Sequence, residues 1–177
     1  TPPPGTAMAG FAARTGGAVG MHDPITVRAV AIDECILLCV DVCGLDEGFC
    51  ASLREVLGED VTISALHTHG GPVATPGRLG TATDLDWLSR LHDACIAAAL
   101  EAQRRRQPCE MFFGMGADPG VGSNRRHQGG PRDPSLPVLE LRTAGRPVAT
   151  IVAYACHPVV LGADNRLFTA DYPHVVR

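Results

Sequence analysis

The chain has 177 residues, of which 45% are hydrophobic and 19% are charged, with a formal net charge of −4 at pH 7. This composition argues against a disordered or fibrous chain. The acidic balance offers no positive surface for nucleic acid, and no uncharged apolar run reaches the roughly 18–20 residues that span a bilayer. The length suits one domain with a sizeable core, so we expect residues 1–177 to form a single domain.

The first half of the chain predicts a hairpin followed by a strand–helix–strand unit. After a lead-in rich in Pro, Gly and Ala, β-branched runs at 25–32 and 35–42 flank a two-residue polar break, which is typical of a hairpin. The second run is almost continuously apolar, so we expect it to be central in its sheet. A helix over 46–58 and a strand over 61–66 then predict a crossover connection.

The clearest helical pattern lies over 83–106, where Leu88, Leu91 and Cys95 begin an apolar stripe. Thr83 and Asp86 have the spacing of a capping box. We therefore expect the helix to begin at Thr83.

The second half of the chain predicts three further strands. A strand over 109–117 precedes a long loop rich in Gly, Pro and Arg over 118–135, and loops of this length are usually functional or disordered. Strands over 136–143 and 146–156 flank a short turn and predict a second hairpin. The sequence thus predicts an α/β fold, with a mixed β-sheet flanked by helices.

The seven cysteines are odd in number and contain no Cys-X-X-Cys pair, so they indicate neither a complete disulfide framework nor a zinc ribbon. Cys35, Cys39 and Cys43 recur in or beside an apolar run. Because free cysteine behaves as a small core residue, we expect all three to pack in the core.

Two histidines, His67 and His69, directly follow the strand predicted at 61–66 and precede two glycines. In extended backbone, residues two apart project from the same face, and the exits of strands are where α/β folds gather their sites. Neutral imidazole is also a zinc ligand. The alternative is a pair of histidines satisfied by backbone carbonyls, but the pattern favours a site.

His157 ends the apolar run predicted as a strand over 146–156 and precedes Pro158. Taken alone, it is more typical of a structural histidine. Together with His67 and His69, it makes three histidines at the ends of two predicted strands, which is the pattern of a metal site assembled across strands.

Arg125 and Arg126 follow Asn124 in the long loop. Guanidinium groups on a Gly-rich loop suit an anionic or polarised oxygen, although a solvated loop would carry the same residues. The sequence contains no GxSxG, Walker A or GxGxxG motif. The glycines after His69 exclude the HxHxDH pattern of the metallo-β-lactamases, and 177 residues cannot hold an eight-unit barrel.

Taken in order, these segments resemble the N-terminal part of the neutral/alkaline (non-lysosomal) ceramidase family and its shorter bacterial relatives. The resemblance spans essentially the whole chain, and its most specific elements are HTH followed by a small residue, Gly and Pro, and the later ACHP. The segments that carry it are TPPPGTAMAGF, MHDPITVRAVAI, LLCVDVCGL, VTISALHTHGGP, FGMGADPGVGSNRR, DPSLPVLELR, VAYACHPVVL and FTADYP.

The resemblance implies a zinc-dependent hydrolase of an amide bond, with a small-molecule or lipid amide as substrate, which is ceramide in the characterised members. His67 and His157 would be ligands of Zn²⁺. His69 would contact the reacting groups and help polarise the scissile carbonyl. Arg125 would lie in the substrate pocket, and Asp171 matches an aspartate of the family that we assign to substrate binding or to support of the site.

This sequence departs from the family in three respects. Gly70 stands where the ceramidases usually have Ser, Arg126 stands where they continue with Ser, and their further zinc ligands, a Glu and a Tyr, lie beyond the position of Arg177. We therefore expect an N-terminal fragment of a longer catalytic domain, inactive when alone. Two alternatives stay open: a non-catalytic ceramidase-like binding or scaffold module, and a metal hydrolase of another amide or ester. The resemblance allows a secreted or periplasmic location, and the oligomeric state stays open.

Overall fold

The computed structural model describes residues 2–177, which divide into two compact units. The first runs to Arg106 and resumes over Pro158–Arg177, and the second is Gln107–His157. The single domain expected over 1–177 stays a prediction. Within the described residues, no helix combines the length and apolarity needed to cross a membrane. The elements are β1 Gly20–Met21, β2 Val27–Ile32, β3 Cys35–Val40, α1 Glu47–Leu57, β4 Val61–Ala65, α2 Leu85–Arg104, β5 Glu110–Met115, β6 Pro137–Thr143, β7 Arg146–Val152, β8 Leu167–Phe168 and α3 Tyr172–Val176.

The first unit is built on a mixed three-stranded sheet in the order β2-β3-β4. β2 and β3 form an antiparallel hairpin, and α1 then carries the chain to β4, which is parallel to β3 with Val40 beside Ala65. β3 is central, and its side chains at Ile36, Leu38 and Val40 are buried. The predicted hairpin, crossover and α/β class with a mixed sheet are confirmed.

An aspartate is the N-cap residue of each of the two long helices. The side chain of Asp46 caps α1, and Oδ1 of Asp84 accepts from the backbone N–H of Trp87 at 2.9 Å to cap α2. The predicted capping box of Thr83 and Asp86 is therefore wrong, because the carboxylate one residue later is itself a strong N-cap. The helices and the sheet enclose one core, whose buried members include Leu38, Val40, Phe49, Leu53, Trp87, Leu91, Cys95 and Ala99.

The lead-in and the C-terminal segment are tied together by pairing that the sequence did not predict. β1 runs parallel to β8, with Gly20 beside Leu167. Next to this pair, the buried carboxylate of Asp23 accepts from the hydroxyl of Thr169 and, at 2.8 Å, from the backbone N–H of Ala170. These bonds fix the backbone at Thr169, whose N–H donates to the carbonyl of Gly70 after β4 at 2.9 Å.

The second unit contains an antiparallel sheet in the order β5-β6-β7. Ala144 and Gly145 join β6 to β7 with φ values of 49° and 74°, the left-handed pair of a two-residue hairpin turn, so the second predicted hairpin is confirmed. Met111, Phe113 and Met115 point to one face of β5, and Phe113 is 72% exposed.

Candidate functional site

The two histidines of the HTH motif lie beyond β4 rather than in extended backbone. β4 ends at Ala65, and His67 has a φ of 63° in the left-handed region, so the expected extended geometry is wrong. The backbone N–H of His67 still donates to the carbonyl of Val42 at 2.9 Å, which continues the pairing with the chain after β3. The imidazole rings of His67 and His69 are nevertheless adjacent, with centroids 5.1 Å apart and planes at 71°.

Gly70 follows the histidines at a point where no side chain fits. A Cβ there would lie 2.3 Å from Cγ2 of Thr169. Hydrogen bonds also hold the Gly70 backbone against Thr169. Oγ1 of Thr68 donates to the carbonyl of Thr169 at 2.8 Å and accepts from the N–H of Gly70 at 3.0 Å. The departure from serine at this position therefore has a steric reason.

Cys43 completes a cluster of three potential metal ligands with the two histidines. One ligand atom from each of Cys43, His67 and His69 lies within 4.8 Å of the others. Cys43 is buried, His69 is half-buried and His67 is exposed. Nδ1 of His67 is 2.6 Å from the carbonyl oxygen of Cys43. Because a carbonyl only accepts, Nδ1 donates its hydrogen and Nε2 keeps the lone pair that binds a metal.

A cation and an aromatic ring lie next to this cluster. Burial raises the pKa of the Cys43 thiol, and the positive charge of Arg14 opposes that shift. Burial in turn lowers the pKa of Arg14, against the opposing charge of Cys43. Cζ of Arg14 lies 5.0 Å from the centre of the Phe11 ring, which contacts the His69 ring edge-on at 4.7 Å. Arg14 and Phe11 thus link the surroundings of the thiol to the second histidine.

The sequence predicts Cys43 only as a core residue. It is buried, as expected, but Cys35 is exposed and Cys39 only half-buried, so the prediction of three core cysteines is wrong. Cys35 opens β3 beside the hairpin turn, where solvent reaches it. The predicted crossover could have indicated the site. Because β3 and β4 are parallel neighbours, the residues shortly after Val40 and Ala65, which include Cys43 and the two histidines, leave the sheet at the same edge.

His157 and Arg125 lie together in the second unit. β7 ends at Val152 and the chain up to His157 is irregular, so the expected strand running to this histidine is wrong; β7 is also largely exposed, unlike a core strand. Nη1 of Arg125 lies 3.5 Å from Nδ1 of His157. Arg125 is exposed and His157 half-buried, so a ligand can reach the guanidinium and the imidazole.

Asp171 is buried, and its carboxylate accepts from three backbone N–H groups. These belong to Val160 at 3.2 Å, Leu161 at 3.0 Å and Tyr172 at 2.8 Å. The segment that it holds begins at Pro158, whose carbonyl accepts from the N–H of His69 at 3.3 Å. Asp171 therefore supports the backbone behind the second histidine.

Among solved structures, the chain is similar to the crystal structure of the neutral ceramidase from Pseudomonas aeruginosa. The TM-score is 0.83 at 20% sequence identity, and the match covers 98% of this chain and 34% of that chain. No protein-family model matches the sequence, and no curated protein does. The chain thus has the fold of about a third of that ceramidase, which confirms the expected resemblance at the level of the fold.

Proposed function

We propose that the chain belongs to a zinc-dependent hydrolase that cleaves an amide bond, as a ceramidase does, with ceramide or another N-acyl amide as substrate. The observation that carries this proposal is the cluster of Cys43, His67 and His69 on a scaffold similar to a neutral ceramidase. The cluster uses side chains from the exits of two parallel strands, where α/β folds place their sites.

The donor atoms of the cluster fit zinc. Thiolate and imidazole are its usual ligands, and a zinc-binding histidine typically donates its other ring N–H to a carbonyl, as His67 does to Cys43. His67 is also a ligand implied by the family resemblance, which adds His157 as another. Zinc held by these residues would lower the pKa of a bound water toward about 7 and polarise the scissile carbonyl.

The remaining residues have roles in binding and orientation. Within the cluster, Cys43 and His67 would hold the zinc, whereas His69, whose ring lies beside that of His67, would hold the amide through a hydrogen bond to its oxygen. Arg125, next to His157, would donate to an oxygen of the substrate, and one well-placed donor to a developing oxyanion contributes about 3–4 kcal/mol. Asp171 keeps its carboxylate on backbone N–H groups and would act by positioning the chain behind His69.

The test is made on the whole hydrolase to which the chain is proposed to belong, and it combines elemental analysis with an assay of amine release from N-acyl amides, ceramide first. We expect about one zinc per chain in the wild-type protein. The double variant His67→Ala/His157→Ala should lose both the zinc and the hydrolytic activity. His92→Ala is the matched control, because this half-buried histidine packs edge-on against Phe49 in the helical core. Absence of zinc from the wild-type protein, or full hydrolysis by the double variant, would overturn the proposal and favour a ligand-binding module.

A further inference from the structure

A cavity of about 910 Å³ lies within the first unit, between the lead-in and the loop before α2. Its volume is in the range of small-molecule sites, roughly 300–1,000 Å³. The wall is mostly apolar, and Arg14 and Asp84 are its charged residues. Its larger apolar contributors are Met8, Phe11, Leu79 and Ala82.

The cavity shares part of its wall with the candidate metal cluster. Gly10 and Phe11 line the cavity, and both touch His69: the Phe11 ring edge-on, and Gly10 so closely that a Cβ there would lie 2.3 Å from Cγ of His69. A ligand in the cavity is therefore separated from the second histidine by the thickness of these two residues.

Two buried polar atoms on the lining residues lack a hydrogen-bond partner among residues 2–177. They are Nη2 of Arg14 and Oγ1 of Thr83. The rest of the Arg14 side chain is held firmly, because Nε donates to the carbonyl of Asn165 at 3.0 Å and Nη1 to that of Ala9 at 2.9 Å. A guanidinium nitrogen can only donate, so the partner that Nη2 lacks is an acceptor.

The acidic residue of the lining does not supply that acceptor. Oδ1 of Asp84 accepts from the N–H of Trp87 and caps α2, and no hydrogen bond or ion pair joins Asp84 to Arg14 in the described part of the chain. The buried charged group on the wall that lacks a partner atom is therefore the Arg14 cation, next to apolar side chains. This combination suits a ligand with an apolar chain and a carboxylate, because a charge-assisted bond to guanidinium is strong in a partly buried site.

We propose that this cavity binds an apolar chain that carries a carboxylate, with the carboxylate on Nη2 of Arg14 and the hydroxyl of Thr83 available to a second oxygen. Combined with the proposed function, on which this step rests, the ligand class is an N-acyl amino acid. A free fatty acid presents the same chemistry and would bind as a product.

The test is calorimetric titration with N-decanoylglycine, decanoic acid and the neutral N-decanoylethanolamine, in the presence of a chelator and in the His67→Ala background. Neither turnover nor a carboxylate–metal bond then contributes, so the result is independent of whether the zinc proposal holds. We expect N-decanoylglycine to bind about tenfold more tightly than the ethanolamide. If decanoic acid binds more weakly than N-decanoylglycine, the preferred ligand is the N-acyl amino acid rather than the free fatty acid.

Arg14→Gln is expected to abolish the preference for the acid. Arg166→Gln is the matched control, because Arg166 also donates to a backbone carbonyl of the lead-in, that of Gly17, but does not line the cavity. Should Arg14→Gln unfold, Ala12→Trp, at an exposed lining position, is expected to block binding of all three ligands. Equal affinities for acid and ethanolamide, no binding at all, or a preference that survives Arg14→Gln would overturn the proposal.

Discussion

Nδ1 of His67 lies 2.6 Å from the carbonyl oxygen of Cys43, and this contact joins the chain after β3 to the chain after β4. It fixes the tautomer of His67, since the hydrogen must be on Nδ1 and the lone pair on Nε2. Sγ of the same Cys43 lies 3.9 Å from Nδ1. One residue therefore orients the imidazole through its backbone and offers a thiol through its side chain.

Cys43→Ser separates these two contributions, because it keeps the carbonyl and removes the thiol. With Co²⁺ in place of zinc, we expect the wild-type protein to show a near-ultraviolet charge-transfer band from a thiolate ligand. The variant should lose this band and bind metal at least about tenfold more weakly. Cys50→Ser, at a half-buried position of α1, should keep both properties. An unchanged band in Cys43→Ser would remove Cys43 from the ligand set.

Gly10, in the lead-in, packs directly against the second histidine of the cluster. Its φ is +97°, and a Cβ there would lie 2.3 Å from Cγ of His69. Gly5 has a nearly equal φ of +94° but no atom within 4 Å of a Cβ. Both alanine variants thus meet the same left-handed strain, of order 1 kcal/mol, and only Gly10→Ala also displaces the histidine.

We therefore expect both variants to unfold at somewhat lower temperature, whereas only Gly10→Ala shifts the imidazole ¹H–¹⁵N signals of His69. Because the His69 ring lies 5.1 Å from that of His67, the same displacement should weaken metal binding at His67. The comparison is made on the two proteins by NMR and by thermal unfolding. If Gly5→Ala disturbs the His69 signals equally, the effect arises from a general loosening of the lead-in rather than from the contact.

The local elements of the fold could be predicted from the sequence, because they depend on periodicity within short windows. The structure has the predicted hairpin at the start of the first sheet, the predicted crossover through α1 and the predicted central position of β3. β1 and β8 could not be predicted, since strands of two residues have no period to detect and pair Gly20 with Leu167 across most of the chain.

The candidate site was predictable in part. His67 and His69 were found because two imidazoles after an apolar strand are unusual, but the positive φ of His67 depends on tertiary contacts that no local pattern encodes. Cys43 was missed because a buried cysteine satisfies the requirements of a core residue equally well. Its proximity to the histidines follows only when the parallel register of Val40 and Ala65 is known.

The N-terminus of α2 offers a direct comparison between pattern and structure. Asp84→Ala removes the carboxylate that accepts from Trp87, and such a loss costs about 1 kcal/mol of unfolding free energy. Thr83→Ala should cost much less, because its hydroxyl has no partner among the described residues. Urea unfolding of the two variants measures the difference. A larger loss for Thr83→Ala would restore the capping box that the sequence suggested.

Asp118 anchors the long loop of the second unit. The Arg132 guanidinium, 2.5 Å away, together with the N–H of Gly120 and the hydroxyl of Tyr154, lowers the pKa of Asp118 to about 2. Because the pKa is lower in the folded chain than its ordinary value of 3.8, these bonds stabilise the loop above about pH 4 and are lost as the pH falls toward 2. The carboxyl ¹³C signal of Asp118 should therefore titrate near pH 2.

Arg132→Gln tests the assignment of that shift. Removing the guanidinium takes away its largest cause, so the pKa of Asp118 should rise toward 3.8, although the bonds from Gly120 and Tyr154 keep it somewhat lower. Asp133 serves as control in the same spectra, because its pKa is lowered by hydrogen bonds from Ser135 and not by Arg132. A midpoint for Asp118 that stays the same in Arg132→Gln would show that the loop is held without this ion pair.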